Sequence, residues 1–261
     1  MVFGLPAHRL KGNPAFWTKK SSSYNLIITR NPNYQIPSGC YARMNQIFID
    51  TEVRTKNTNV IDVGHSFREY ANKLGYKDGG ADKELVKQLV NYVTSSISLN
   101  ITDHNPNHIA GVQTMVAEAW DFFFDVPSPE QLTMAKGKII LSEKYAKYIH
   151  KHSVPLDMNR VRCFKNNPLA LDFYRFLAYR SNELKKPVSF PDHLLFEQLG
   201  VGHNQDKVTR YRLKTILRFI QSDWPVQAKF EDGYFELCPS PPAVQAKIPS
   251  RALLTIINNV G

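Results

Sequence analysis

The sequence predicts an α+β protein made of two tandem winged-helix domains, each a helix-turn-helix with a β-hairpin wing. Three observations carry this expectation. The order helix, short strand, helix, helix, hairpin can be read twice along the chain. The 261 residues, 43% of them apolar, suffice for one large core or two of ordinary size. The last helix of the second set, His203 to Ser222, is amphipathic and carries cations along its polar edge.

Taken in order, residues 1–22 mix prolines, glycines and cations without a period, which predicts an N-terminal arm. The first domain is assigned to 23–131. Tyr24–Thr29 reads as a strand, and Tyr41, Met44, Ile47 and Phe48 sit at helical spacing within Tyr41–Thr51. Asn59–Val63 is a short strand. Ser66 with Glu69 three residues on is a capping box, opening a helix that Gly75 stops. A third helix spans Asp82–Val93, with Leu85, Val86, Leu89, Val90 and Val93 inward and Lys83, Lys87, Asn91 and Thr94 on its polar edge. Ile97–Thr102 and Ile109–Ala117 alternate as a hairpin, the expected wing. The two prolines of Asp125–Gln131 mark a connector.

The second domain is assigned to 132–242. Lys138–Leu141 reads as a strand, and Glu143–His150 as a short helix. Leu169–Leu184 is a helix whose broad apolar face includes Phe173, Phe176 and Leu177. Pro187–Phe190 is a strand and Asp192–Leu199 a helix closed by Gly200. After the basic helix, Val226–Phe230 and Tyr234–Leu237 flank the turn Glu231-Asp232-Gly233, a second hairpin. Pro239–Pro242 breaks regular structure, and residues 243–261 form a C-terminal tail.

Net charge is +10, from 33 Lys and Arg against 23 Asp and Glu, with a pI near 9.4. Such an excess favours polyanionic partners, nucleic acid first and acidic membrane surface second. Cys40, Cys163 and Cys238 are far apart and odd in number, which suits a reducing compartment without disulfides. With neither an apolar signal core nor a membrane-length apolar run, the expectation is a soluble cytoplasmic protein.

The basic helix carries the functional expectation. Leu213, Ile216, Leu217 and Ile220 form a core-facing stripe, while Lys207, Arg210, Tyr211, Lys214 and Arg218 share the other side. Alone, such a helix is better explained by simple solvation; the helix-turn-helix order around it points to the major groove of double-stranded DNA. Gln205, Lys207, Arg210 and Tyr211 are then expected nearest the bases, with Lys214 and Arg218 on phosphates. The first domain's counterparts, Lys83, Lys87 and Asn91, would contribute backbone contacts or a dimer surface. Lys229 on the second wing would touch backbone or minor groove, although an exposed strand lysine explains it equally well.

Catalysis is not expected. The pair His150-Lys151-His152 has a cation where a metal site wants an apolar residue, and His104 and His108 flank Asn105-Pro106 in a loop. There is no GxxxxGK[ST] loop. The residues therefore predict no enzyme activity, no metal and no cofactor.

Thr51-Glu-Val-Arg-Thr-Lys56, followed by Gly64-His-Ser66 and Gly79-Gly80, resembles the first domain of the plasmid-encoded RepA replication initiators. Asn167-Pro-Leu-Ala-Leu-Asp172, Tyr174, Tyr179-Arg180, Lys185-Lys-Pro187 and Pro239-Ser-Pro-Pro242 resemble the second domain and its close. The likeness spans about Pro6 to Val244. It implies binding to repeated origin sequences (iterons), opening of the duplex, and recruitment of the host initiator and helicase. It also implies a dimer that represses its own gene while monomers initiate. His65 stands where the family has an acidic residue, and Arg210, Tyr211 and Arg212 make the run before Lys214 unusually basic. Groove reading transfers; the DNA sequence read does not. A winged-helix transcriptional repressor without an initiator role shares every DNA-binding feature, and membrane-surface binding is disfavoured by the narrow apolar face.

Overall fold

A computed structural model describes residues 4–21, 24–77, 80–102, 109–122, 137–201 and 206–244. The chain opens with two strands, β1 (Phe16–Lys20) and β2 (Tyr24–Thr29), followed by a long helix, α1 (Gly39–Lys56). Next come β3 (Val60–Gly64), α2 (Phe67–Lys73) and α3 (Asp82–Val93). A hairpin, β4 (Ser96–Thr102) and β5 (Ile109–Met115), precedes β6 (Ala117–Asp121) and β7 (Gly137–Leu141). Helices α4 (Glu143–His152) and α5 (Met158–Cys163) lead to α6 (Pro168–Glu183). The closing elements are β8 (Val188–Pro191), α7 (Asp192–Leu199), α8 (Asp206–Gln221), β9 (Ala228–Glu231) and β10 (Tyr234–Leu237).

Local chemistry sets several of these boundaries. Ser66 Oγ accepts the Glu69 amide at 3.1 Å, one half of the capping box. Its return bond comes from one residue earlier than the motif demands, because Glu69 Oε2 accepts the His65 amide at 2.8 Å. The Glu69 carboxylate lies so close to Gly64 that a Cβ there would sit under 3 Å from it, at a φ of +101°. Only glycine fits. At the β9–β10 turn, Asp232 and Gly233 both have positive φ (46° and 83°), the type I′ geometry that matches strand twist.

The elements repeat. The helix–strand–helix–helix–strand–strand order of α1, β3, α2, α3, β6 and β7 returns as α6, β8, α7, α8, β9 and β10. Each set builds a three-stranded antiparallel sheet in the same order, first strand, third, second: β3-β7-β6 and β8-β10-β9. Strand β7, assigned from sequence to the second half, therefore belongs to the first, where it pairs with both β3 and β6. The expected first wing is also elsewhere. Hairpin β4–β5 forms, but β4 pairs with β2 and the four strands β1-β2-β4-β5 make a separate antiparallel sheet. The N-terminal stretch is thus no free arm: Phe16–Lys20 is an edge strand, and Leu5 is buried in the core. The expected connector, Asp125–Gln131, and residues 245–261 of the expected tail lie outside the described residues.

One continuous apolar cluster runs through both halves. Its seam is α1 against α6, the first long helix of each set. Across it Arg43 Nη2 meets Asp172 Oδ2 at 2.7 Å and Arg175 Nη2 meets Asp50 Oδ2 at 3.0 Å. Three further hydrogen bonds join the halves. Lys19 of β1 donates to the Gln198 carbonyl of α7. Arg162 donates to the Lys73 carbonyl at the end of α2 (2.9 Å), and Tyr76 to the Lys165 carbonyl (3.0 Å).

Candidate nucleic-acid interface

Helix α8 is held from below by its apolar stripe. Leu213, Ile216, Leu217 and Ile220 are buried, as is Thr209. Trp224, just past the helix, is buried edge-on against Tyr174 and donates its indole N–H to the Pro241 carbonyl at 2.8 Å. The proline-rich close of the chain is what seats that ring. Gln221 Nε2 donates to the Val226 and Ala228 carbonyls, both at 3.0 Å, and so fixes β9 against the end of the helix. Below the hairpin, Phe173, Phe190 and Phe230 surround Phe235 at centroid distances of 4.8–6.0 Å.

The opposite side of α8 stands in solvent: Lys207, Val208, Tyr211, Arg212, Thr215, Arg218 and Phe219. Tyr211 is 72% exposed, the most exposed large hydrophobic side chain among the described residues. Among the described residues, Lys207, Arg212 and Arg218 make no ion pair, so their charges are open to an outside polyanion.

Two of the expected contacts are otherwise engaged. Arg210 Nε donates to the buried carboxylate of Asp192, the first residue of α7. It ties α8 to α7. Lys229 sits between Glu231 (2.6 Å) and Glu236 (3.3 Å) on the hairpin. The Glu231 hydrogen bond raises the Lys229 pKa, and Lys229 in turn lowers that of Glu231, with a lesser contribution from Lys214. Lys214 is thus half-buried on the flank of α8 that looks toward the hairpin acids. Gln205 lies outside the described residues.

In the first half, α3 is buried on nearly every side. Asn91 is 2% exposed and its Oδ1 accepts the Gln35 amide at 3.1 Å, so it faces protein and not a duplex. Lys83 is exposed, and Lys87 lies 3.8 Å from Glu84 in a loose surface pair. Only α8, of the two third helices, offers an open face.

Arg212 is the residue that sequence reasoning passed over as a contact. On a helical wheel, the flank holding Arg210 and Lys214 and the flank holding Arg212 and Phe219 lie about equally far from the apolar stripe. Asp192 closes the first flank, which leaves the second open. The signal available in advance was Asp192 itself, an acid opening the preceding helix.

Among the described residues no group of His, Cys, Asp and Glu is placed to hold a metal ion, and no helix is long and apolar enough to cross a membrane. Residues 36–189, more than half of the sequence, match the family described as plasmid encoded RepA protein. The chain belongs to that family of plasmid replication initiators. In solved structures, this RepA-family chain is similar to domains 2 and 3 of RctB, with a TM-score of 0.58 at 9% identity, over 90% of this chain and 94% of that one. A selenomethionine crystal structure of the same two domains gives 0.53 at 8% identity, over 90% and 95%. At such identities the likeness is one of fold. No curated protein matches the sequence closely enough to count as a relative.

Proposed function

We propose that this RepA-family protein starts plasmid replication by gripping repeated origin sequences with the outward face of α8. In this reading the two repeated sets of elements are tandem winged-helix units, and α8 is the recognition helix of the second. Tyr211 and Arg212 reach the base edges, where arginine reads guanine. Lys207 and Arg218 fix the register on phosphates. The observation that carries it is the open cationic face of α8 opposite a fully buried stripe. Lys83 and Lys87 add weaker backbone contacts from the first half.

The protein would act in the bacterial cytoplasm, open the duplex through binding energy without covalent catalysis, and pass the opened origin to the host initiator and helicase. Membership of an initiator family favours this over a simple repressor of its own gene. Nuclease footprinting on a candidate origin tests it. Protection repeated at whole helical turns supports the reading. Uniform, sequence-independent protection would overturn it.

A further inference from the structure

An apolar cavity lies away from α8, between the four-stranded sheet and α4. Its volume is about 350 Å³, and it is open on one side. One wall is the inner face of the sheet, Leu26, Ile28, Ile97, Leu99 and Val112, which register pairing places on a single side. The other wall is Tyr148 and Ile149 of α4. Gln46, Asp50 and Arg175 close the floor. Lys144, Lys147 and Lys151, spaced along one face of α4, stand exposed at its rim.

Two observations say what such a space accepts. Ser153, also at the cavity, is 6% exposed, yet its Oγ has no hydrogen-bond partner among the described residues. A buried hydroxyl left unpaired is unfavourable by about 1–3 kcal/mol. The second is size: the space matches the lower range of small-molecule pockets.

We infer that this cavity is a binding site for a single-chain amphiphile, a hydrocarbon tail with a carboxylate head such as a medium-chain fatty acid. The tail packs between the sheet and α4. The head is met by the Lys144, Lys147 and Lys151 ammonium groups, with Ser153 Oγ as a hydrogen-bond donor. Lys147 is shared with Glu143 at 2.7 Å, and Lys144 donates to the Gln113 carbonyl at 3.3 Å. Lys151 has no partner among the described residues, so its charge is the one most available. Because the floor is the Asp50–Arg175 pair between α1 and α6, the bound tail would rest on the seam between the halves.

The test is calorimetric titration of the full chain with sodium dodecanoate below its micelle concentration, beside dodecanol and dodecylamine. Saturable binding of one dodecanoate per chain is expected, with the alcohol weaker and the amine weakest. Val112 is 49% exposed, so Val112→Trp fills the mouth without disturbing the core and should weaken dodecanoate about tenfold or more. The surface double variant Lys144→Glu/Lys151→Glu should weaken dodecanoate roughly three- to tenfold and leave dodecanol unchanged. No saturable binding, or binding indifferent to Val112→Trp, overturns the site. Equal affinity for acid, alcohol and amine overturns the carboxylate assignment.

Discussion

Arg43 and Asp172 form a buried ion pair, Nη2 to Oδ2 at 2.7 Å, that fixes the first long helix of one half against that of the other. Arg43 also donates to the Leu5, Pro6 and Gly39 carbonyls, so its guanidinium is nearly saturated. Seven residues along α1, Asp50 meets Arg175 with the signs exchanged. The seam is therefore keyed: sliding one helix along the other would bring like charges together. Such pairs add specificity more than stability, yet breaking one leaves a charge buried alone.

Asp172→Leu alone should destabilise the chain by about 3–5 kcal/mol. Arg43→Met/Asp172→Leu together should recover much of that loss. Urea unfolding of both singles and the double measures the coupling. Strictly additive losses would mean the pair does not act as a unit.

Lys19 gives the seam a pH signature. Burial pushes its ammonium down to about 8 from 10.5, partly offset by Asp172. The unfolded chain then holds this proton up to about 10.5 and the folded chain only to about 8, so this group's contribution to stability rises with pH across that window. The whole shift corresponds to roughly 3 kcal/mol. Cys40, pushed up to about 11 by burial, slopes the other way above pH 9. The comparison to make is wild type against Lys19→Met between pH 8 and 9. A steeper rise in the wild type is expected, and parallel curves would contradict it.

Much of this was legible in advance, for reasons that differ by element. Ser66, Gly75, Gly200 and the Asp232-Gly233 turn act on their immediate neighbours, so their elements end where the residues indicate. The stripe Leu213, Ile216, Leu217 and Ile220 likewise names its own buried side. Pairing partners are another matter. The alternation in Ile97–Thr102 says that a strand forms, but not that it joins Tyr24–Thr29. The same holds for Lys138–Leu141, which returns across a long insertion to Val60–Gly64. In the site, the cations of α8 were visible, while Asp192 and the two acids around Lys229 decided which of them stay free. Asn91 looked polar and was, but its partner is a backbone amide 56 positions away.

Arg210 should behave as a structural residue. Arg210→Ala is expected to lower stability by about 1–3 kcal/mol, since it strands the buried Asp192, and to leave the salt dependence of DNA binding unchanged. Urea unfolding beside binding titrations at several salt concentrations separates the two. A drop of one unit in the salt slope would instead make it a phosphate contact.

The second hairpin carries one cation, Lys229, and three acids, Glu231, Asp232 and Glu236, and should mildly repel a duplex. Glu231→Gln/Glu236→Gln is predicted to tighten binding at low salt, and Lys229→Ala to change it little. If Lys229→Ala weakens binding as much as Arg218→Ala does, the hairpin contacts DNA after all.

The most direct measurement is the salt dependence of affinity for an origin duplex, wild type against Arg212→Ala/Arg218→Ala. Each phosphate contact contributes about 0.9 to the slope of log affinity against log salt, and a base-reading arginine roughly 1–3 kcal/mol of sequence preference. The double variant should lose affinity, with a slope flatter by about one unit where Arg218 meets phosphate, and lose preference for origin over random sequence where Arg212 reads a base. An unchanged slope together with unchanged preference would mean that the open face of α8 is not where this protein holds DNA.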